Sequence, residues 1–232
     1  MKTYLLIITL IAASYPAIFA QNKITTNVHS GQDVNDVLSN SRFLFPEFQD
    51  ALVLTKKGTS KAKMNYNMLT GAMMFIGQDG DTLTLLNPDE IRTIRFGRQE
   101  FIHTAKEYVE ILATAGVVSL AVSRRIKPTT VKQYGAYGMT TNTAAIDNLS
   151  VITDKASPDG LTINKEITYA VIQIFYLHDG KSLKPATGKN FEKIFGKHKK
   201  EQISAYIKEQ GLNLKKEEDI IKLFNFCAKD KE

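Results

Sequence analysis

The amino-acid sequence predicts an α+β fold, in which an antiparallel β-meander domain (a sheet, half-barrel or sandwich) is followed by a small C-terminal helical unit. From Lys61 to Met68 apolar and polar residues alternate, and this period of two gives a strand one buried and one solvated face. Short apolar runs separated by glycine-bearing turns continue to Ser123, as is typical of a meander. From Asn190 the apolar residues recur at i, i+3 and i+4, which is the spacing of an amphipathic helix.

Residues 1–20 have the features of a cleavable secretory signal peptide. Lys2 supplies a positive charge, a largely apolar run follows, Pro16 breaks it, and Ala20 precedes the polar Gln21. The run is shorter than the about 20 residues that a membrane span needs. We therefore expect cleavage after Ala20, no membrane span in the mature chain, and an exported protein that is periplasmic, associated with the outer envelope or secreted.

The pattern of polar and apolar residues divides the mature chain into segments. Residues 21–40 are polar with little periodicity and are expected to form a flexible leader. A β-rich domain is expected over 41–126, because its short apolar runs are bounded by turn residues. Its expected strands are 51–55, 61–68, 73–76, 82–86, 91–96 and 101–103.

The apolar stretch 109–123 permits two structures, a β-hairpin or a buried helix. It contains Glu110 and is too short to span a membrane. Its β-branched residues and the break at Ala115-Gly116 favour two strands, 108–113 and 117–123.

Residues 127–165 are rich in Thr, Asn, Gly and Pro and are expected to form a loop or linker. A β-hairpin is expected over 166–187, where it joins the sheet. Helices are expected within 188–232, and the apolar residues that define them are Phe191, Ile194, Phe195, Ile203, Tyr206, Ile207, Ile220, Phe224 and Cys227.

Two blocks of the chain resemble uncharacterised exported proteins of Bacteroidota. The first block covers about 43–126 and contains the sequence segments KAKMNYN, GDTLTL and NPDEI. The second block covers about 190–227. The resemblance implies an envelope or extracellular location. It implies no activity, ligand or catalytic residue.

The net charge of +6 comes mostly from residues 181–232, which contain 13 lysines and 8 acidic residues. Lys alternates with Glu there and Arg is absent, so solvated helix faces are favoured over a nucleic-acid interface. One alternative is an adaptor that contacts anionic surfaces through this tail, and its lysines are Lys193, Lys197, Lys199 and Lys200.

No catalytic, metal or cofactor site is predicted. The four histidines, His29, His103, His178 and His198, lie in separate segments, without the local spacing of a zinc site. Cys227 is expected to be a small buried apolar residue on a helix. The Asp79-Gly80-Asp81 segment lacks the further ligands of a calcium loop and is expected to be a turn.

The ligand-binding residues favoured by the sequence are Tyr134, Tyr137 and Met139. Tyrosines among glycines offer contact area at low entropic cost. We therefore expect a non-enzymatic exported binding protein whose partner is an envelope protein or a glycan. The alternative is a hydrolase of envelope polymers, in which folding brings distant carboxylates together.

Overall fold

The computed structural model describes residues 23–28, 37–39, 41–86, 88–104, 107–134, 140–144, 165–196 and 199–229. It confirms the α+β fold. An antiparallel meander forms the sheet, and three helices follow near the C-terminus.

Twelve strands form one antiparallel sheet. Ten of them follow the spatial order β1-β11-β9-β8-β7-β6-β2-β3-β4-β5, while β10 pairs with β9 and β12 with β11. Most sequence neighbours therefore pair directly, as the glycine turns predict. The strands are β1 Lys23–Val28, β2 Gln49–Thr55, β3 Thr59–Asn67, β4 Ala72–Ile76, β5 Thr82–Thr84, β6 Ile91–Phe96, β7 Gln99–His103, β8 Tyr108–Ala115, β9 Val118–Tyr134, β10 Thr140–Ala144, β11 Lys165–His178 and β12 Leu183–Pro185.

The sheet is open but strongly curled. Its path ends at β1 and β5, which do not pair with each other. Nevertheless the backbone N–H of Ile126 in β9 donates to the carbonyl of Met68, directly after β3, at 3.0 Å. The curl encloses a first apolar cluster that includes Met64, Tyr66 and Phe101, all at most 2 % exposed.

The helices cover a second apolar cluster on the sheet. Alternate residues of β9 and β11, among them Leu120, Val122 and Leu177, belong to this cluster together with residues of all three helices. Phe195 lies edge-on to Phe224 with ring centroids 5.6 Å apart. The helices are α1 Gly188–Phe195, α2 Lys200–Glu209 and α3 Glu217–Ala228. None of the helices in the described ranges has the length and apolar character needed to cross a membrane.

Two expected non-strand regions contain strands. Part of the leader forms β1, which pairs with β11 from Lys23↔Ala170 to Val28↔Lys165. The loop expected over 127–165 also contains strand residues, because β9 continues to Tyr134 and pairs with both β10, at Thr140–Ala144, and β11. Residues 145–164 lie outside the described ranges.

Pro128 explains why the continuation of β9 was missed. The register between β9 and β11 shifts where Tyr169 pairs with Pro128 and Thr168 with Thr130. A proline, which has no N–H to donate, is tolerated in a strand at such a bulge. The hydroxyl of Thr129 donates to the Thr168 carbonyl at 3.1 Å.

The remaining local predictions are close to the structure. The stretch 109–123 is a hairpin, formed by β8 and the first part of β9. Asp79-Gly80-Asp81 is the turn between β4 and β5, and Gly80 has a φ of 85°. Strand β5 ends at Thr84, earlier than the expected residue 86.

Candidate functional site

A groove of about 520 Å³ lies between the turn that joins β7 to β8 and the hairpin that joins β11 to β12. Its size is in the range of ligand sites in proteins. The residues that line it are His103, Thr104, Glu107, Tyr176, His178, Lys181, Ser182 and Leu183.

Strand alternation places the groove on the sheet face away from the helices. Phe175 and Leu177 of β11 point into the helix-covered cluster. Tyr176 and His178 alternate with them and therefore point to the opposite face. The register pairs Tyr176 with Ala121 and His178 with Ser119 of β9.

A partly buried polar network holds Glu107 at one end of the groove. The Ser123 hydroxyl donates to Oε2 of Glu107 at 2.7 Å, and Nη1 of Arg125 lies 3.5 Å from the same oxygen. Arg125 also donates to the Leu69 carbonyl at 3.3 Å. Both donors use Oε2, so Oε1 of Glu107 has no hydrogen-bond donor among the described residues.

Gly71 makes room for this network. Its φ is 75°, and a Cβ there would lie 1.9 Å from Nη1 of Arg125. Glycine therefore serves two purposes at this position, because it adopts the left-handed backbone without strain and leaves space for the guanidinium.

Burial shifts the pKa values of His103 and Tyr176 in the groove. Burial lowers the pKa of His103, although the nearby Asp89 carboxylate, 4.0 Å from Nδ1, opposes this. His103 is therefore neutral at pH 7 and both donates and accepts hydrogen bonds. Burial also raises the pKa of Tyr176, and the negative charge of Glu107 adds to the effect. The Tyr176 hydroxyl is a neutral donor.

The β11–β12 hairpin leaves one cation unpaired at the other end of the groove. Asp179 pairs with Lys184 and accepts from the backbone N–H groups of Ser182 and Lys181. These contacts, the Lys184 bond foremost, hold the pKa of the Asp179 carboxyl well below its usual range. Asp179 is thus already occupied, and the exposed ammonium of Lys181 has no ion pair with any described residue.

A second polar cluster joins the helices to the sheet. Arg124 of β9 donates to Glu110 of β8, and its Nη2 donates to Glu217 at the start of α3 at 2.8 Å. Gln99 donates to Glu110 at 3.0 Å and Gln173 to Glu217 at 3.4 Å. Burial raises the pKa of Glu217 despite the opposing guanidinium. Folding does bring these two distant carboxylates together, but around a buried cation between two apolar clusters.

Only one of the three ligand-binding residues expected from the sequence lies within the described part of the chain. Tyr134 is the last residue of β9 and pairs with Thr140 of β10. Tyr137 and Met139 lie outside the described residues. Their role stays a prediction.

Two expectations about single residues have clear outcomes. Cys227 is fully buried, as expected for a small apolar residue. The adaptor alternative needs Lys199 on a basic surface, but Lys199 is 7 % exposed, and its ammonium donates to the Cys227 carbonyl at 3.3 Å. Lys193 and Lys200 are exposed, and Lys197 lies outside the described residues.

Two of the histidines meet in the folded chain. His103 and His178, which belong to separate segments of the sequence, line the same groove together with Glu107. Within the described part of the chain, no group of at least three His, Cys, Asp or Glu side chains is arranged to hold a metal ion.

Sequence reasoning missed Glu107 and Tyr176 because they meet only in the folded sheet. One signal was available: Tyr176 and His178 alternate with Phe175 and Leu177, which predicts that the polar pair faces away from the core. The residues of the β7–β8 turn, which line the other side of the groove, show no comparable alternation of polar and apolar residues.

No protein-family model, curated protein or solved structure matches this chain. The chemistry of the groove is therefore the basis for assigning a function.

Proposed function

We propose that this chain is an exported, non-enzymatic binding protein whose ligand occupies the groove between the β7–β8 turn and the β11–β12 hairpin. The observation that carries the proposal is the pair of uncommitted polar atoms at its two ends. Oε2 of Glu107 is bound by Ser123 and Asp179 is bound by Lys184, whereas Oε1 of Glu107 has no donor and Nζ of Lys181 has no anion among the described residues.

Hydrogen bonds that hold groove residues in place support a binding function. Glu107 is fixed by Ser123 and Arg125, and Ser182 is fixed by Asp179. A ligand that meets side chains already held in place loses less free energy to their ordering.

The hydrolase alternative has weaker support. A two-carboxylate mechanism needs a second acid or base beside the first, and Glu107 is the only carboxylate among the described residues lining the groove. The other carboxylate pair, Glu110 and Glu217, shares Arg124, and the Glu110 side chain is only 7 % exposed.

A matched pair of leucine-to-tryptophan variants tests the groove. Leu183→Trp adds bulk inside it, and Leu83→Trp adds the same bulk on the exposed strand β5. Envelope glycan fragments and peptides are screened by ligand-observed NMR. We expect the compounds that bind the native protein to bind Leu83→Trp equally and Leu183→Trp at least about ten-fold more weakly. Compounds that bind both variants equally well would show that the groove is not the site.

Export is tested separately. The full chain, tagged at its C-terminus, is expressed in a Gram-negative host and fractionated. We expect a mature protein outside the cytoplasm that begins at Gln21, by N-terminal sequencing. A full-length chain retained in the cytoplasm would contradict the signal-peptide assignment and leave the groove proposal intact.

A further inference from the structure

We infer that the ligand of this groove is a short acidic saccharide, with its carboxylate at the Lys181 end and its hydroxyl groups along the neutral polar side chains toward Glu107. This inference rests on the proposed binding function and gives it a ligand class.

The hydrogen-bonding character of the groove fits a hydroxyl-rich ligand. Five of the eight lining residues have hydroxyl or imidazole side chains, which can both donate and accept, namely His103, Thr104, Tyr176, His178 and Ser182. The Thr104 hydroxyl already donates to the Glu107 carbonyl at 2.8 Å and the Ser182 hydroxyl to Asp179 at 3.3 Å. These two therefore offer acceptors to a ligand, and the other three offer both functions. A sugar hydroxyl has the same dual character. A peptide backbone separates the two functions, because its N–H only donates and its C=O only accepts.

The charges at the two ends differ. At one end the Glu107 charge is offset by Arg125 at 3.5 Å, so Oε1 suits a neutral hydroxyl donor better than it suits a cation. At the other end Lys181 is uncompensated, because Asp179 is paired with Lys184. A carboxylate on the ligand would supply the missing counter-charge through a charge-assisted hydrogen bond.

The strand register gives the groove an extended shape. The Glu107 end lies beside Ser123 of β9, and the hairpin end begins at His178, which pairs with Ser119. At about 3.3 Å per residue, these β9 positions are roughly 13 Å apart. The site therefore fits a chain of sugar rings better than a single small anion, and Tyr176 offers an aromatic surface between the two ends.

The test compares charged and neutral forms of one sugar. Trigalacturonate and its methyl ester have the same hydroxyl groups and differ in charge, and isothermal calorimetry measures both. We expect the native protein to bind trigalacturonate about three- to five-fold more tightly than the ester, the upper range expected for an ion pair with an exposed lysine. Lys181→Gln should reduce this ratio to about one. Lys189→Gln, which removes an exposed lysine of α1 outside the groove, should preserve it.

The other outcomes contradict the inference. Equal affinity for acid and ester in the native protein overturns the carboxylate contact. Binding of free trialanine without binding of either sugar overturns the saccharide class. Neither result affects the proposed function, which is tested by Leu183→Trp. Circular dichroism spectra identical to the native protein establish that each variant is folded.

Discussion

Replacing Arg124 by Met tests the polar cluster that joins the helices to the sheet. The Arg124 side chain is 4 % exposed and its partner Glu110 is 7 % exposed. Without the guanidinium, the Glu110 carboxylate stays buried, with the Gln99 amide as its remaining donor among the described residues. Removing one partner of a buried ion pair typically costs about 3–5 kcal/mol. Because domains have total stabilities of about 5–15 kcal/mol, we expect a large loss in the free energy of unfolding.

Urea unfolding at pH 7, followed by circular dichroism, measures the loss. Arg95→Met is the matched control, because it removes the same side chain from an exposed ion pair. Arg95 is 49 % exposed and lies 2.9 Å from Glu100. Exposed pairs contribute about 0–1 kcal/mol, so the two variants should differ by at least about 2 kcal/mol.

A second substitution separates the cost of an unpaired charge from general disruption. Adding Glu110→Met to Arg124→Met removes the more deeply buried of the two carboxylates that lose Arg124 and fills the space with an apolar side chain, while Glu217, 26 % exposed, keeps the Gln173 amide. We expect the double variant to recover much of the lost stability, since replacing a buried ion pair by apolar residues is often neutral. The reasoning is refuted if Arg124→Met unfolds within about 1 kcal/mol of Arg95→Met, a difference expected only of an exposed pair.

Three further predictions concern the fold. Burial raises the pKa of Glu217 above its usual 4.5, so the folded state keeps this proton to a higher pH than the unfolded state does. The free energy of unfolding therefore falls as pH rises from about 4.5 through the folded-state pKa. Glu217→Gln should flatten this part of the stability-against-pH profile, measured by urea unfolding at pH 4–7. Gly71→Ala should destabilise the fold by about 1–2 kcal/mol, because residue 71 has a left-handed backbone, and the added Cβ should displace Arg125. Gly188 is in ordinary contact with its surroundings, so Gly188→Ala should unfold like the native protein in the same assay. Phe224→Ala, at a residue 1 % exposed, should cost about 3–5 kcal/mol in thermal or urea unfolding.

Local patterns were sufficient to predict most of the fold. The alternation from Lys61 predicts β3 because one face of that strand packs on the core, and Met64 and Tyr66 are indeed buried. Likewise the helical spacing of Phe191 and Phe195 predicts α1, where both side chains are buried. In each case the pattern of a few adjacent residues reports directly on burial.

Non-local pairing could not be predicted in the same way. Strand β1 is a short polar segment whose partner β11 lies more than a hundred residues away, and nothing in its own sequence specifies that partner. The groove has the same difficulty, because His103 and His178 belong to walls that meet only through the order β7-β8-β9-β11. Pro128 also indicated a break, although the bulge at Thr129 accommodates it.

Strand β9 connects the two polar sites through adjacent residues. Arg124 and Arg125 are consecutive, so their side chains point to opposite faces of the sheet. Arg124 binds Glu217 of α3 on the helix-covered face, and Arg125 contacts Glu107 at the groove. A shift of β9 that weakens one contact therefore also moves the other. The helices therefore do more than cover apolar surface. Glu217 of α3 holds Arg124, and Arg124 belongs to the strand whose Ser123 and Arg125 contact Glu107, so we expect packing on the helix-covered face to affect the groove on the other face.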